Sequence, residues 1–520
     1  MIRNAFPRKA LQLVPVRLFN NHPQQVAASS SSGETDLEWA NAQPYESIPG
    51  PGSLQMMRNF APGGRYYNKT MPDIMQALRD DYGDLWRLPG IFGRRDMVAT
   101  FKPDDFEKIL RTEGQWPIRR GFDSLAFYRE KVRPEIFKGM GLVTEQGEGW
   151  HHFRTIVNPV MLQPKTVQLY IDKLDEVAQD FMKIIPNLRD AKNEMPADFN
   201  QWINRWALEV MGVLALDTRL GVLEHDQPEE ASELMRLIGE FLELSYQLDI
   251  LPSVWKYYKT PTFNRFITVL DGITDIITSK IDAAMIRLEK NPSKSSDTMS
   301  VLEKLLKVDR DVAIIMAFDM LQAGVDTTSS GMIGILHALA TNSEKQNKLR
   351  KEIRAILPSK NSPLTPDNMR NLPYLRACIK EGLRVQSPIV GGARTSGKDL
   401  VLQGYRIPKE TDIMMPAMSL YKDERHFARA QKFLPERWLK QSEPGVPSAK
   451  SAHSFLFLPF GFGPRSCIGR RLAMMEIEIF LARVTRQFEY RWNHGPLKIR
   501  TSLINVPTNE LRFEMTEVVD

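Results

Sequence analysis

From residue 165 to 290 the apolar positions recur every three or four residues, one long helical run after another. The same period marks 73–83 (DIMQALRDDYG), 147–161 (GEGWHHFRTIVNPVM), 309–340 and 371–388 (NLPYLRACIKEGLRVQSP). Cys378 falls inside the apolar pattern of the last of these and reads as core. Behind Cys467, the residues Leu472, Met475, Ile479 and Ala482 form the apolar stripe of a further helix. Strand patterning is confined to DLWRL and MVATF (97–101) and to a hairpin over 397–413 that turns at Gly404. Helices dominate and strands are few. The stretch 248–263 interrupts the helical series with Pro252, Pro261, Trp255, Tyr257, Tyr258, Lys256 and Lys259. It fits either an ordinary loop between helices or a loop seated in a membrane interface.

Composition narrows the class. A chain of 520 residues with 42% hydrophobic content can bury a large core, and two cysteines exclude a disulfide framework. No apolar run is long enough to span a membrane. The net charge is +6, but Arg3, Arg8, Lys9 and Arg17 in the acid-free segment 1–33 account for the excess, leaving +2 for the rest. The basic bias therefore belongs to a leader and predicts no nucleic-acid surface. Basic, Ser-rich and free of acids, 1–33 reads as a mitochondrial transit peptide. A linker over 34–47 follows, and the stiff IPGPGSL hinge opens a single catalytic domain at 48–520.

The most specific chemistry lies at 458–471, LPFGFGPRSCIGRR. Phe460, Gly463, Arg465, Cys467 and Gly469 stand in the pattern F-x-x-G-x-R-x-C-x-G. Gly461 and Gly463 allow backbone turns that aim amides at the sulfur. Those donors, and the start of the following helix, are expected to lower the thiol pKa. A second constellation, MLQAGVDTTSSG at 320–331, puts Gly324 inside a helix, at a cost of about 1 kcal/mol that requires a reason. Trp150 and Arg154 share one face of 147–161, and Glu381 and Arg384 share one face of 371–388. His151 and His152 are adjacent and make no metal pair.

These motifs, in this order, resemble the cytochrome P-450 superfamily over essentially all of 48–520. The resemblance implies a mainly α fold with small β-sheets (α+β): a helix-rich lobe plus a smaller β-rich lobe around a buried haem b. Cys467 would be the axial iron ligand, in a loop with Phe460, with Trp150, Arg154, Arg394 and Arg465 binding haem propionates. In the A-G-x-D-T-T signature (Ala323, Gly324, Asp326, Thr327, Thr328), Gly324 would leave room for dioxygen. Thr327 would hold the water that protonates dioxygen, and Asp326 would relay protons from outside. Glu381, Arg384 and Arg437 match a structural ion network. IFGRRDMVATF, WPIRRGFDS and the Cys loop look most like an insect mitochondrial group, the family's twelfth. In that branch an acidic ferredoxin docks on basic residues, here Arg376 and Lys380 on an exposed helix face, with Arg470 and Arg471. For Arg471, propionate or backbone contact competes with that role.

The implied activity is a haem-thiolate monooxygenase inserting one oxygen atom into a lipophilic substrate, xenobiotic or steroid-like. It would lie peripherally on the matrix side of the inner mitochondrial membrane. The alternative is a non-oxygenating haem-thiolate protein, either a gas or lipid binder or a rearranging enzyme. Intact Asp326 and Thr327 argue against it. The candidate pocket draws on 113–130, Met320, Ala323, 388–391 and 502–506. Arg119 and Arg120 fit a propionate or solvent equally.

Overall fold

The computed structural model describes residues 37–91, 94–290, 295–440 and 444–519. The expected leader over 1–33 lies outside them. The helices that frame the site are α1 (Ser53–Phe60), α2 (Pro103–Arg111), α3 (Gly147–Met161), α4 (Ile171–Leu188), α5 (Phe199–Leu216), α6 (Glu229–Ser245), α7 (Pro261–Lys290), α8 (Arg310–Ala340), α9 (Pro373–Val385) and α10 (Arg470–Gln487). The strands are β1 (Leu85–Leu88), β2 (Met97–Thr100), β3 (Gly392–Thr395), β4 (Leu400–Leu402), β5 (Tyr405–Ile407), β6 (Asp412–Met415), β7 (Phe488–Arg491), β8 (Ile499–Thr501), β9 (Asn505–Pro507) and β10 (Glu514–Glu517).

The middle of the molecule is α8. Its 31 residues follow the N-cap Asp309, whose side chain accepts from the Asp311 N–H at 2.6 Å. Apolar on nearly every side, α8 is a helix that must be wrapped by others. α5 lies along it and is buried almost throughout its second half. α9 and α10 pack against it near its C-terminal half. One apolar core joins these helices, and a second, smaller core fills the β-rich side around Trp86, Val98, Phe106 and Ile413.

The largest sheet runs β1-β2-β6-β3, with β2 and β6 parallel and the other pairs antiparallel. β4 and β5 form the predicted hairpin, turning through Gln403 and Gly404, both at positive φ. β6, read from sequence as the end of that hairpin region, instead joins the large sheet, because Ile413 pairs with both Val98 and Arg394.

The loop carrying Cys467 lies between the two cores. Phe462 and Leu458 pack on the smaller, Phe460 and Ile468 on the larger, and Phe457 on both. The expected architecture of two unequal lobes is therefore present, and the sulfur sits at their junction.

Candidate active site

The Cys loop is a compact turn. The Cys467 N–H donates to the Phe460 carbonyl at 2.8 Å, and the Ser466 N–H to the Gly463 carbonyl at 3.0 Å. Gly461 and Gly463 both hold φ +72, a conformation that side chains rarely adopt. α10 begins just beyond, with Gly469 as its N-cap. The Cys467 side chain is left uncovered by protein atoms, whereas Cys378 is fully buried, as expected of a core cysteine.

The expected lowering of the Cys467 thiol pKa is not what the protein alone produces. Its low-polarity surroundings push the thiol up, and the Gly469 N–H with the Arg154 and Arg119 guanidinia offsets only part of that. Desolvation of the anion outweighs the nearby donors. Coordination to a metal, which deprotonates a thiol outright, would supply the missing stabilisation.

Four guanidinium groups cluster beside this loop: Arg119 and Arg154 act on the sulfur, Arg394 acts on Arg119, and Arg465 feels all three. Arg154 donates to the Ser466 carbonyl at 2.9 Å and lies over the buried Trp150 ring at 5.7 Å. Arg394, on β3, pairs with Glu113 and donates to the Phe462 carbonyl at 3.1 Å. Burial and mutual repulsion lower Arg119 to about 10 and Arg465 to about 9. Glu113 is the carboxylate that the cluster presses on. Such an excess of buried positive charge requires an anion. The two propionates of a haem held at Cys467 would supply it, so these residues fit that group. Arg154 Nε has no partner among the described residues and is free to donate.

The structure narrows one expected propionate contact and divides a pair left open. Arg465 stacks on Trp150 at 4.1 Å and donates to the carbonyls of Pro117, Leu142 and Glu145 and to Gln146 Oε1. At most one of its five N–H groups remains for a propionate, so it chiefly ties the Cys loop to α3. Of the pair left open by sequence, Arg119 joins the cluster, whereas Arg120 is held by Asp412 and Glu410.

On α8, Ala323 is exposed in the middle of a helix that is mostly buried, and Thr327 Oγ1 donates to its carbonyl at 2.6 Å. Gly324 does not open space for dioxygen. It faces α5, where an added Cβ would stand 2.6 Å from Met211 Sδ, so its reason is close helix packing. Asp326 points away from Thr327's side into a cavity of about 410 Å³ between α5, α6 and α8, which Gln201, Arg205, Arg236 and Gly239 also line. Burial alone pushes Asp326 up to about 6, and its Oδ2 has no partner among the described residues. Thr328 bonds to Glu476 of α10, joining the central helix to the segment behind the cysteine. Glu476 is buried and pushed up to about 8.

The Glu381 cluster forms as expected. Glu381 Oε1 accepts from Arg384 at 2.8 Å, Arg437 at 3.0 Å and the Leu434 N–H at 2.9 Å, and Oε2 accepts from Arg384 and Trp438. Of the predicted docking residues, Lys380, Arg470 and Arg471 are exposed. Arg376 is not a free surface charge. It forks onto Glu478 at 2.9 and 3.1 Å and donates to the Met369 and Arg370 carbonyls, bracing α9 against α10.

The cytochrome P450 family model matches residues 48–515. The chain belongs to the cytochrome P450 family. Cytochrome P450 CYP12A2 of Musca domestica is 44% identical over 510 residues, covering 95% of each chain. Probable cytochrome P450 12a5, mitochondrial, of Drosophila melanogaster is 44% identical over 498 residues, 93% of each. Cytochrome P450 12b1, mitochondrial, of Drosophila acanthoptera is 42% identical over 480 residues, 91% of this chain and 90% of its own. The likeness to insect mitochondrial P450s is thereby shown, and the chain is a P450 monooxygenase, a haem enzyme.

Sequence reasoning missed Glu113, Gln146, Met211, Trp438 and Glu476. No spacing rule connects Glu113 to Arg394 or Met211 to Gly324, because each pair meets only across the fold.

Proposed function

We propose that this P450 binds haem b through Cys467 and inserts one atom of dioxygen into a lipophilic small molecule. Electrons come from an acidic ferredoxin, at the matrix face of the inner mitochondrial membrane. The balance is one substrate, one dioxygen, two electrons and two protons, giving hydroxylated product and one water. When bound, the haem supplies dioxygen activation, with thiolate electron density favouring O–O cleavage.

The observation that carries the reading is the uncovered Cys467 sulfur beside a cluster of four guanidinia. Arg119, Arg154 and Arg394 would hold the propionates, and Trp150, Phe460 and Arg465 shape the loop. Thr327, its hydroxyl bonded back to Ala323, presents its oxygen lone pairs to a water beside the uncovered face. Asp326, with its raised pKa and its polar cavity, takes protons from solvent and passes them inward. Residues 1–33 would be a cleaved leader, which the relatives named mitochondrial support, and the folded unit starts ahead of the 48–52 hinge, since Glu38 pairs with Lys108 and Gln43 bonds the Gly404 turn.

Lys380, Arg470 and Arg471 form the docking face for the ferredoxin. Val254, Tyr257 and Tyr258 are exposed beside Lys256 and Lys259, and α1 buries no residue and exposes Leu54 and Met57. These two apolar patches support contact with a membrane surface. Among the described residues no helix is long and apolar enough to cross one.

The test is the carbon-monoxide difference spectrum of the reduced protein, wild type beside Cys467→Ser. A red-shifted thiolate Soret band in wild type and its absence in the variant support the assignment. A histidine-type spectrum in wild type overturns it.

A further inference from the structure

The arginine cluster contains one carboxylate to which the reaction assigns no role. Glu113 follows α2, and its side chain is almost wholly buried. Oε2 accepts from Arg394 Nε, and Arg394 in turn donates to the Phe462 carbonyl of the Cys loop. Oε1 has no partner among the described residues and lies against Gly463, where even a methyl group would overlap it. Glu113 thus meets the Cys loop at two consecutive residues, directly at Gly463 and through Arg394 at Phe462.

Burying an acid here is unfavourable on its own, and desolvation is the largest influence on it. The Arg394, Arg465 and Arg119 guanidinia oppose that influence and hold the carboxylate in place. Four guanidinia against one carboxylate leave three positive charges, close to the two negative charges of a pair of propionates. Without Glu113 the excess is four. The residue orients Arg394 and lowers the net positive charge of the cluster.

We propose that Glu113 is a positioning residue that sets the reduction potential of the cofactor, by holding Arg394 to the Cys loop and lowering the positive charge around it. The inference rests on the proposed haem at Cys467. A nearby carboxylate favours the ferric over the ferrous state, because ferric iron carries the larger positive charge. Removing that charge while keeping the side-chain shape therefore favours reduction.

The experiment is spectroelectrochemical titration of the holoprotein, wild type beside Glu113→Gln and Glu113→Asp. Glutamine keeps an acceptor for Arg394 and loses the charge, whereas aspartate keeps the charge and retracts it by one methylene. E113Q is expected to move the midpoint to a more positive potential. At the wild-type midpoint its ferrous-to-ferric ratio should rise about three- to ten-fold, the effect of a unit charge across ~10 Å at intermediate dielectric. E113D should titrate close to wild type but surrender haem faster to apomyoglobin. An unmoved midpoint in E113Q with an intact thiolate spectrum overturns the proposal and leaves the haem assignment standing. If E113Q retains no haem, E113D decides: faster haem release than wild type supports the brace, and release at the wild-type rate overturns it.

Discussion

Asp326 should trade stability for catalysis, and the size of the trade follows from its surroundings. The carboxyl is raised from 3.8 to about 6, with burial as the cause and no cation in contact. A group whose folded pKa lies above its unfolded value favours folding when protonated, and that contribution is lost as pH rises from about 3.8 through 6. At 1.36 kcal/mol per pKa unit, the ionised form costs the fold up to about 3 kcal/mol at pH 8 and about 1.6 kcal/mol at pH 5. Asp326 is partly open to its cavity, so solvent screening brings both values down by about half. Asp326→Asn keeps the shape and the same unpartnered polar atom but removes the charge. It should stabilise the holoprotein by about 1.5 kcal/mol at pH 8 and by roughly half of that at pH 5. Urea unfolding at the two pH values, at matched haem occupancy, measures this. The same variant should divert reducing equivalents to peroxide, because no group remains there to take up a proton. A stability gain that does not change with pH would refute the desolvation argument. A gain that does change, with coupling untouched, would refute the relay.

Gly239 lines the Asp326 cavity, and a Cβ added there meets nothing within 4 Å. Gly239→Phe should plug the cavity, raise the solvent isotope effect of ferredoxin-driven turnover and leave peroxide-driven turnover unchanged. Lys380→Glu with Arg470→Glu should slow ferredoxin-driven turnover several-fold, most at low salt, and spare the peroxide-driven reaction; Arg376→Glu should instead lower thermal stability, since it breaks the pair with Glu478. Gly324→Ala should cost about 1–3 kcal/mol from overpacking against Met211, measured by thermal unfolding. Met211→Ala should recover most of that loss, which it would not do if the glycine served dioxygen access.

What the sequence determined about this protein is what lies close together along the chain. The Cys loop, the Thr327 back-bond to Ala323, the Glu381–Arg384 pair and the Gln403–Gly404 turn all depend on residues within a few positions of one another. Helical and strand periods mark them, and local geometry leaves little choice. The tertiary structure decided what lies far apart. Arg376 and Lys380 look alike on one helix, yet Glu478 of another helix captures Arg376 and leaves Lys380 exposed. Arg119 and Arg120 are neighbours, but the strand pairing that brings Asp412 and Glu410 close claims only Arg120. Gly324 answers to Met211, and Glu113 to Arg394 and Gly463, through contacts that no periodicity encodes. Charge and packing act through space, so a residue's partner is fixed only once the chain has folded around it.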